Sequence, residues 1–365
     1  MKRSFIREIL EYINGDTISF AGGLPDETLF PAEKIRVAFL EVLKRPESLQ
    51  YCNSSGYKPL KKMIADIYNR RGFKTTSENI LITSGSQQAL DIISRFFQGK
   101  NIIVERPSYL GAINSFILNK MFIKYIDIDS RGVNPQELYN LSKSSDLAYL
   151  IPDFHNPTGV TTSVIQREKI ADICEQHRLY LIEDAPYSEL YFEKPFPPIS
   201  AMIKKQSFHL GSFSKLLAPA LRVGWIRADK ALLDPLIAYK EAMDLHTNSL
   251  SQQAICYFLN RVGEFDEHLA QLRKGYSKKM EYFCKNLDEF LPTFNYLRPS
   301  GGMFVYGKFK GVDTRKLLSK CLKEGVIFVP GAEFGGRDDE IRFNFTHSSF
   351  EDIEKGVKKI AKILY

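Results

Sequence analysis

The stretch Phe208-His209-Leu210-Gly211-Ser212-Phe213-Ser214-Lys215 combines a structural and a chemical signal. Its first three residues have the apolar character of a buried strand, and small or hydroxyl-bearing residues then lead to a lysine. Lysine is most often a solvated surface residue, but among small and apolar neighbours it can be desolvated and become a nucleophile. Arg222 follows seven residues later as a second fixed cation. The stretch predicts a strand that ends at a reactive lysine.

Similar apolar runs lie on both sides of this stretch, and helical patterns separate them. The runs span residues 80–82, 102–104, 149–151, 180–182 and 223–226. Strands that are apolar throughout and alternate with helices are typical of a mostly parallel sheet covered on both faces. We therefore predict an α/β protein whose large domain spans residues 45–245.

The C-terminal part of the chain has a different pattern. A helical stretch from about Asp234 to Arg261 is followed by strand-like runs at 303–306 and 341–345. The last segment is amphipathic, with Ile353, Val357 and Ile360 on one side. This pattern predicts a smaller α+β domain, made of residues 1–44 and 246–365.

Composition narrows the class of protein. The 365 residues are 44% apolar and 25% charged, and the net charge of +7 is spread along the chain, which favours a soluble protein that binds neither nucleic acid nor a membrane. The five cysteines form no C-x-x-C pair, so we expect reduced thiols and no metal site. The charged N-terminus is unlike a signal peptide, which predicts a cytoplasmic location.

Polar residues follow the predicted strands, where a doubly wound sheet binds its ligands. Ser86 and Gln87 open a helix after the 80–82 run, Asn156 follows the 149–151 run, and Asp184 follows the 180–182 run. Helix N-termini bind phosphate through backbone N–H groups. Each motif is ambiguous alone, but their order together with Lys215 and Arg222 predicts a site for pyridoxal phosphate. The lysine would form an imine, the aspartate would hold the protonated ring nitrogen, and the hydroxyls and arginine would hold the phosphate.

Several motifs then resemble those of the class I and II aminotransferases, pyridoxal-phosphate enzymes of fold type I, and most of all their 2-aminoadipate and kynurenine branch. The resemblance runs from Ile18 to Arg342 and includes Gly85-Ser86-Gln87-Gln88, Asn156-Pro157-Thr158-Gly159 and Ser212-Phe213-Ser214-Lys215. It implies an aminotransferase that moves an amino group between an L-amino acid and a 2-oxo acid, with 2-oxoglutarate as an acceptor, by a ping-pong mechanism.

The resemblance also implies a role for each matching residue. Lys215 would be the Schiff-base lysine and the base of the proton shift, and Asp184 would pair with the ring nitrogen. Asn156 and Tyr187 would hydrogen-bond the 3-oxygen, and Tyr109 would stack on the ring. The phosphate would be held by Ser86, Gln87, Ser212, Ser214 and Arg222, and by Tyr51 of the partner subunit in a homodimer.

The substrate would be held by a second set of residues. Arg342 would bind the α-carboxylate through its planar guanidinium, Asn156 would lie beside it, and Gly23 belongs to a segment that closes over the substrate. Arg7 is expected either to meet an acidic side chain of the substrate, or only to cap its own helix or stay solvated. His155 stands where the family commonly has Gln, and we expect a packing role for it.

Two other functions stay open at this stage. A β-lyase or carbon–sulfur lyase would use nearly the same residues on the same fold. A non-catalytic effector-binding module, as in regulators that carry an aminotransferase-like domain, is less favoured because Lys215, Asp184 and Arg342 are all retained. Motifs for nicotinamide or nucleoside-triphosphate binding are absent from the sequence.

Overall fold

The computed structural model describes residues 17–365, and its centre is an eight-stranded sheet. In chain order the strands of this sheet are β2 (Ile80–Thr83), β3 (Asn101–Arg106), β4 (Phe122–Asp129), β5 (Gly132–Val133), β6 (Leu147–Leu150), β7 (Tyr180–Asp184), β8 (Ser207–Ser212) and β9 (Gly224–Ala228). Their spatial order is β2-β9-β8-β7-β6-β3-β4-β5. The four pairs from β8 to β4 are all parallel, and β9 runs antiparallel to both of its neighbours.

Helices cover this sheet and form most of the rest of the chain. They are α1 (Ala32–Leu43), α2 (Lys58–Arg70), α3 (Ser86–Phe96), α4 (Leu110–Leu118), α5 (Pro135–Ser142), α6 (Val164–His177), α7 (Lys230–Asp244), α8 (Ser249–Leu259), α9 (Glu264–Phe290), α10 (Thr314–Lys323) and α11 (Phe350–Leu364). Short 3₁₀ helices lie at Glu27–Leu29, Pro46–Leu49, Ser77–Asn79, Ile199–Ala201, Pro219–Leu221 and Gly331–Phe334. Within residues 17–365, no helix is both long enough and apolar enough to cross a membrane.

A second sheet has four strands, β10 (Phe294–Tyr296), β11 (Phe304–Phe309), β13 (Val329–Pro330) and β14 (Glu340–Asn344), in the antiparallel order β10-β11-β14-β13. Near it, β1 (Ile18–Ser19) pairs in parallel with β12 (Val326–Ile327). The N-terminal segment is therefore attached to the C-terminal part of the chain.

The predicted α/β class and the predicted strands are confirmed. One helix prediction was wrong: the stretch from Asp234 to Arg261 is two helices, because Leu245 adopts φ +62° and ψ −56° and ends α7. The sequence analysis also did not predict β4 or the 27-residue helix α9. The division of the chain at residues 45 and 245 stays a prediction.

Strands β2, β3, β6 and β7 of the large sheet are mostly apolar because both of their faces are buried. Leu81, Val104 and Ile182 belong to a cluster on one face, while Ile103, Leu150 and Leu181 belong to a cluster on the other. Alternate residues of a strand point to opposite faces, so each strand has to be apolar throughout. Polar side chains are thereby displaced to the strand ends, where the site forms.

Candidate active site

A cleft of about 690 Å³ opens beyond the C-terminal ends of the parallel strands. It brings together twelve of the residues that the sequence singled out: Gly23, Ser86, Gln87, Tyr109, Asn156, Asp184, Tyr187, Ser212, Ser214, Lys215, Arg222 and Arg342. Tyr51 does not line this cleft and is 79% exposed. Arg7 lies outside the described residues.

One corner of the cleft has the features of an anion site. Helix α3 begins at Ser86, and the residue before it, Gly85, offers no side chain to cap the first N–H groups. Gly85 has φ +84°, and a Cβ there would lie 2.7 Å from Arg222 Nη2. Because glycine leaves this space open, the guanidinium and the positive end of the helix dipole face the same point.

Side chains outside the cleft hold this turn in place. Gln88 accepts a hydrogen bond from the Ser84 backbone N–H (2.8 Å) and donates one to Asp244 Oδ2 (2.8 Å). Asp244 also forms an ion pair with the buried Lys240. The Ser84 carbonyl in turn accepts a hydrogen bond from Arg222 Nη2 at 2.9 Å. The helix start and Arg222 are thus tied to one network.

Asp184 ends β7 and lies at the floor of the cleft. It is 3% exposed, its Oδ2 accepts a hydrogen bond from the Tyr149 hydroxyl at 2.7 Å, and its Oδ1 has no partner among the described residues. Burial raises the pKa of Asp184 from 3.8 to about 6, helped by the charge of Glu105 and opposed by the Tyr149 hydrogen bond. A buried carboxyl with a vacant acceptor is suited to a cationic N–H donor.

Arg342, in strand β14, also lines the cleft and is almost fully buried. Nη1 donates to Asn156 Oδ1 at 2.9 Å, Nη2 donates to the Ala21 carbonyl, and Nε has no partner among residues 17–365. The rings of Phe304 and Phe334 flank the guanidinium. Burial lowers its pKa to about 10, which still leaves it charged at neutral pH. This is a fixed cation with a donor left for an anionic ligand.

Lys215 lines the same cleft as these two groups and stands in the turn that follows β8. Its Nζ donates a hydrogen bond to the Gly23 carbonyl at 2.7 Å. Tyr187, just beyond β7, is buried, which raises the pKa of its phenol and keeps it a neutral hydrogen-bonding group. Lys215, Asp184 and Arg342 therefore meet in one cleft although they are far apart in sequence.

His155 is buried behind the Asn156 loop and does not line the cleft. Its Nδ1 lies 2.9 Å from Thr158 Oγ1, and its Nε2 lies 3.2 Å from Glu105 Oε2. Glu105 also accepts a hydrogen bond from the Ile151 backbone N–H at 2.7 Å. These contacts join the strand ends beneath Asn156.

Sequence reasoning did not find Tyr149 or Asp244 as supporting residues. Tyr149 stands in the otherwise apolar run Leu147–Leu150, and a buried tyrosine hydroxyl needs a polar partner, so a signal existed. Asp244 had no such signal, because it looks like an ordinary helix-surface carboxylate until the fold brings it to Gln88.

A lysine, a buried aspartate and an anion site lie together at the strand ends of a mostly parallel sheet. This combination is typical of a pyridoxal-phosphate enzyme. The family model for class I and II aminotransferases matches residues 17–360, and the chain belongs to this family. It is a pyridoxal-phosphate-dependent aminotransferase, which moves amino groups between an amino acid and a 2-oxo acid.

Individual relatives agree with this assignment over the whole chain. The sequence is 37% identical to an aromatic-amino-acid aminotransferase of Thermococcus litoralis, covering 100% of this chain and 92% of the relative. It is 35% identical to a 2-aminoadipate transaminase of Thermus thermophilus, covering 100% and 94%. The structure of a kynurenine aminotransferase of Pyrococcus horikoshii superimposes with a TM-score of 0.94 at 32% identity, covering 100% and 95%.

Proposed function

We propose that the cleft binds pyridoxal 5′-phosphate with Lys215 on its aldehyde carbon and Asp184 on its ring nitrogen. The observation that carries this proposal is the vacant, buried Oδ1 of Asp184 in the same cleft as the lysine amine. When bound, the cofactor supplies an electron-withdrawing ring that makes the Cα proton of an amino acid acidic. The cationic ring N–H would satisfy the vacant oxygen and keep Asp184 ionised.

The remaining polar residues divide between the ring and the phosphate. Asn156 and Tyr187 would hydrogen-bond the 3-oxygen, and Tyr109 would stack on the ring; all three line the cleft. The phosphate is held by the corner at Gly85 and Arg222, with these further ligands: Ser86, Gln87, Ser212 and Ser214. The helix N-terminus and the guanidinium support this assignment because both attract a dianion.

Lys215 is also the group that moves the proton. Once the substrate amine has displaced Lys215 from the aldehyde carbon, its Nζ would take the proton from the substrate Cα and return it to the carbon two atoms away, a 1,3-shift that a flexible primary amine in the cleft can perform. Arg342 holds the α-carboxylate and so fixes the side of the substrate that faces Lys215. Gly23 and its neighbours close over the substrate and exclude water. In support of this, the Gly23 carbonyl accepts a hydrogen bond from Lys215 and the Ala21 carbonyl accepts one from Arg342.

For the acceptor we propose 2-oxoglutarate, and for the donor an aromatic, 2-aminoadipate-like or branched amino acid. The names of two relatives support the aromatic and 2-aminoadipate donors. Arg7, outside the described residues, is proposed as the group that meets an acidic side chain. A lyase reaction on β-substituted amino acids is the second candidate, because the same Cα proton removal begins it.

The functional unit is proposed to be a homodimer with shared sites. Tyr51 lies outside its own cleft and is exposed, packed edge-on against His246 at 5.7 Å, which supports a role for it in the site of a partner subunit. The protein is proposed to be cytoplasmic, which the five unpaired cysteines support.

The test is a panel of amino donors with 2-oxoglutarate or pyruvate, monitored together with visible absorption. The wild type should be yellow, its absorption band should shift with a good donor, and the oxo-acid product should form with transfer of the amino group. Lys215→Ala should bind cofactor weakly and lose turnover, while Lys61→Ala, a partly buried lysine outside the cleft, serves as control. Full turnover by Lys215→Ala would refute the mechanism, and release of ammonia from β-substituted donors without amino transfer would establish the lyase.

A further inference from the structure

Tyr149 lies in strand β6, outside the set of residues that line the cleft. Its side chain is fully buried, and its ring packs edge-on against Phe116 at 5.4 Å. In the sheet it is paired with Ile182 of the neighbouring strand β7, two residues before Asp184. The sheet register therefore places the Tyr149 hydroxyl beneath the carboxyl group that ends β7.

The hydroxyl has a defined acceptor. It donates to Asp184 Oδ2 at 2.7 Å, and no other described residue donates to either carboxyl oxygen. Burial holds the pKa of the phenol well above its usual range, so the tyrosine stays a neutral donor. A hydrogen bond to one oxygen also orients the carboxyl group, since rotation about the Cβ–Cγ bond would break it.

A second buried carboxylate makes this donor more important. Glu105, 2% exposed, lies near the C-terminal end of β3 and adds a repulsive negative charge near Asp184. Desolvation and this charge both favour the neutral acid, and the Tyr149 hydroxyl opposes them. Without it, an ionised Asp184 would have no hydrogen-bond donor from the described protein.

We propose that Tyr149 is a positioning residue that keeps Asp184 ionised and directs its vacant oxygen at the ring nitrogen of the cofactor. The proposal rests on the proposed role of Asp184. Tyr149 binds one carboxyl oxygen and leaves the other for the protonated ring nitrogen. Because the ring withdraws electrons only while that nitrogen holds its proton, the tyrosine influences chemistry at an atom that it does not touch.

The test compares two cofactors on Tyr149→Phe: pyridoxal phosphate, and an analogue in which a C–H group replaces the ring nitrogen. A hydrogen bond to a charged group is stronger than one between neutral groups. Loss of the hydroxyl should therefore weaken pyridoxal phosphate binding about tenfold. The analogue should bind the variant and the wild type alike, because it has no N–H for Asp184. Tyr68→Phe is the matched control, since Tyr68 is also buried but its hydroxyl contacts His209 and Trp225.

The two affinities are compared as a ratio within each variant. A general loss of stability weakens both cofactors equally and so cancels in this ratio. An equal loss of affinity for both cofactors would show that Tyr149 has only a packing role, and it would overturn the proposal. No loss of affinity for either cofactor would also overturn it. In an Asp184→Asn background, adding Tyr149→Phe should leave the ratio unchanged, and a further change would mean that Tyr149 acts by another route. If the wild type itself binds the two cofactors equally, the proposed role of Asp184 fails first, and this inference fails with it.

Discussion

Replacing Asp184 by Asn should stabilise the cofactor-free protein while it removes the activity. The folded-state pKa of Asp184 is about 6 and its ordinary value is 3.8, with burial as the main cause. The folded chain therefore resists losing a proton that the unfolded chain gives up readily. Each unit of difference between the folded and unfolded pKa corresponds to about 1.4 kcal/mol. The raised pKa of Asp184 therefore lowers the free energy of unfolding by up to about 3 kcal/mol above pH 6. The penalty declines as the pH falls from 6 and is absent below 3.8.

The measurement is urea unfolding of the cofactor-free protein at pH 8 and at pH 4.5. The variant should be more stable than the wild type at pH 8, and most of that difference should disappear at pH 4.5. Asp26→Asn is the control of opposite sign: burial alone would raise the pKa of Asp26, but hydrogen bonds from Lys279 and Thr28 lower it, so this variant should be destabilised at pH 8. An Asp184→Asn variant no more stable than the wild type at pH 8 would refute the reasoning.

Three further predictions follow from single side chains. Arg342→Lys should lower kcat/KM at least about tenfold for every amino acid substrate, because a point charge cannot make the two parallel hydrogen bonds of a guanidinium; steady-state kinetics test this. Gly85→Ala should release cofactor faster on dialysis, since φ +84° with ψ 168° strains alanine by roughly 1–3 kcal/mol and its Cβ would press on Arg222. Burial lowers the pKa of His209 to about 3, so folding stability should fall by up to about 5 kcal/mol as the pH drops from 6.5 to 3, and His209→Gln should flatten that fall in acid unfolding curves.

Each of these has a comparison that can contradict it. Gly72→Ala has a similar φ of +75° but no atom within 4 Å of its added Cβ, so it should keep its cofactor; equal release from both variants would mean that strain alone acts. Arg337→Lys, an exposed arginine of the same part of the chain, should leave kcat/KM unchanged. Unaltered acid sensitivity in His209→Gln would assign the loss to other groups.

The sequence alone was enough to predict the class of fold and most of the cleft. Continuous apolar runs are forced on strands that are buried on both faces, so their positions could be read directly, and the residues that follow them had to meet at one edge of a parallel sheet. Lys215, Asp184 and Asn156 could be predicted for this reason. The break at Leu245 could not, because no local sequence signal marks a leucine that adopts a positive φ.

Tertiary structure decided which atoms in the cleft have partners. The vacant oxygen of Asp184 depends on Tyr149, 35 residues earlier, and the anion corner depends on Asp244, which reaches Gln88 across 156 residues. Such contacts leave no periodic trace, because a hydrogen bond is directional and each needs only one pair of atoms at the right distance. Hydrophobic periodicity thus determined where the site lies, while the packing of the sheet and helices determined how its charges are held.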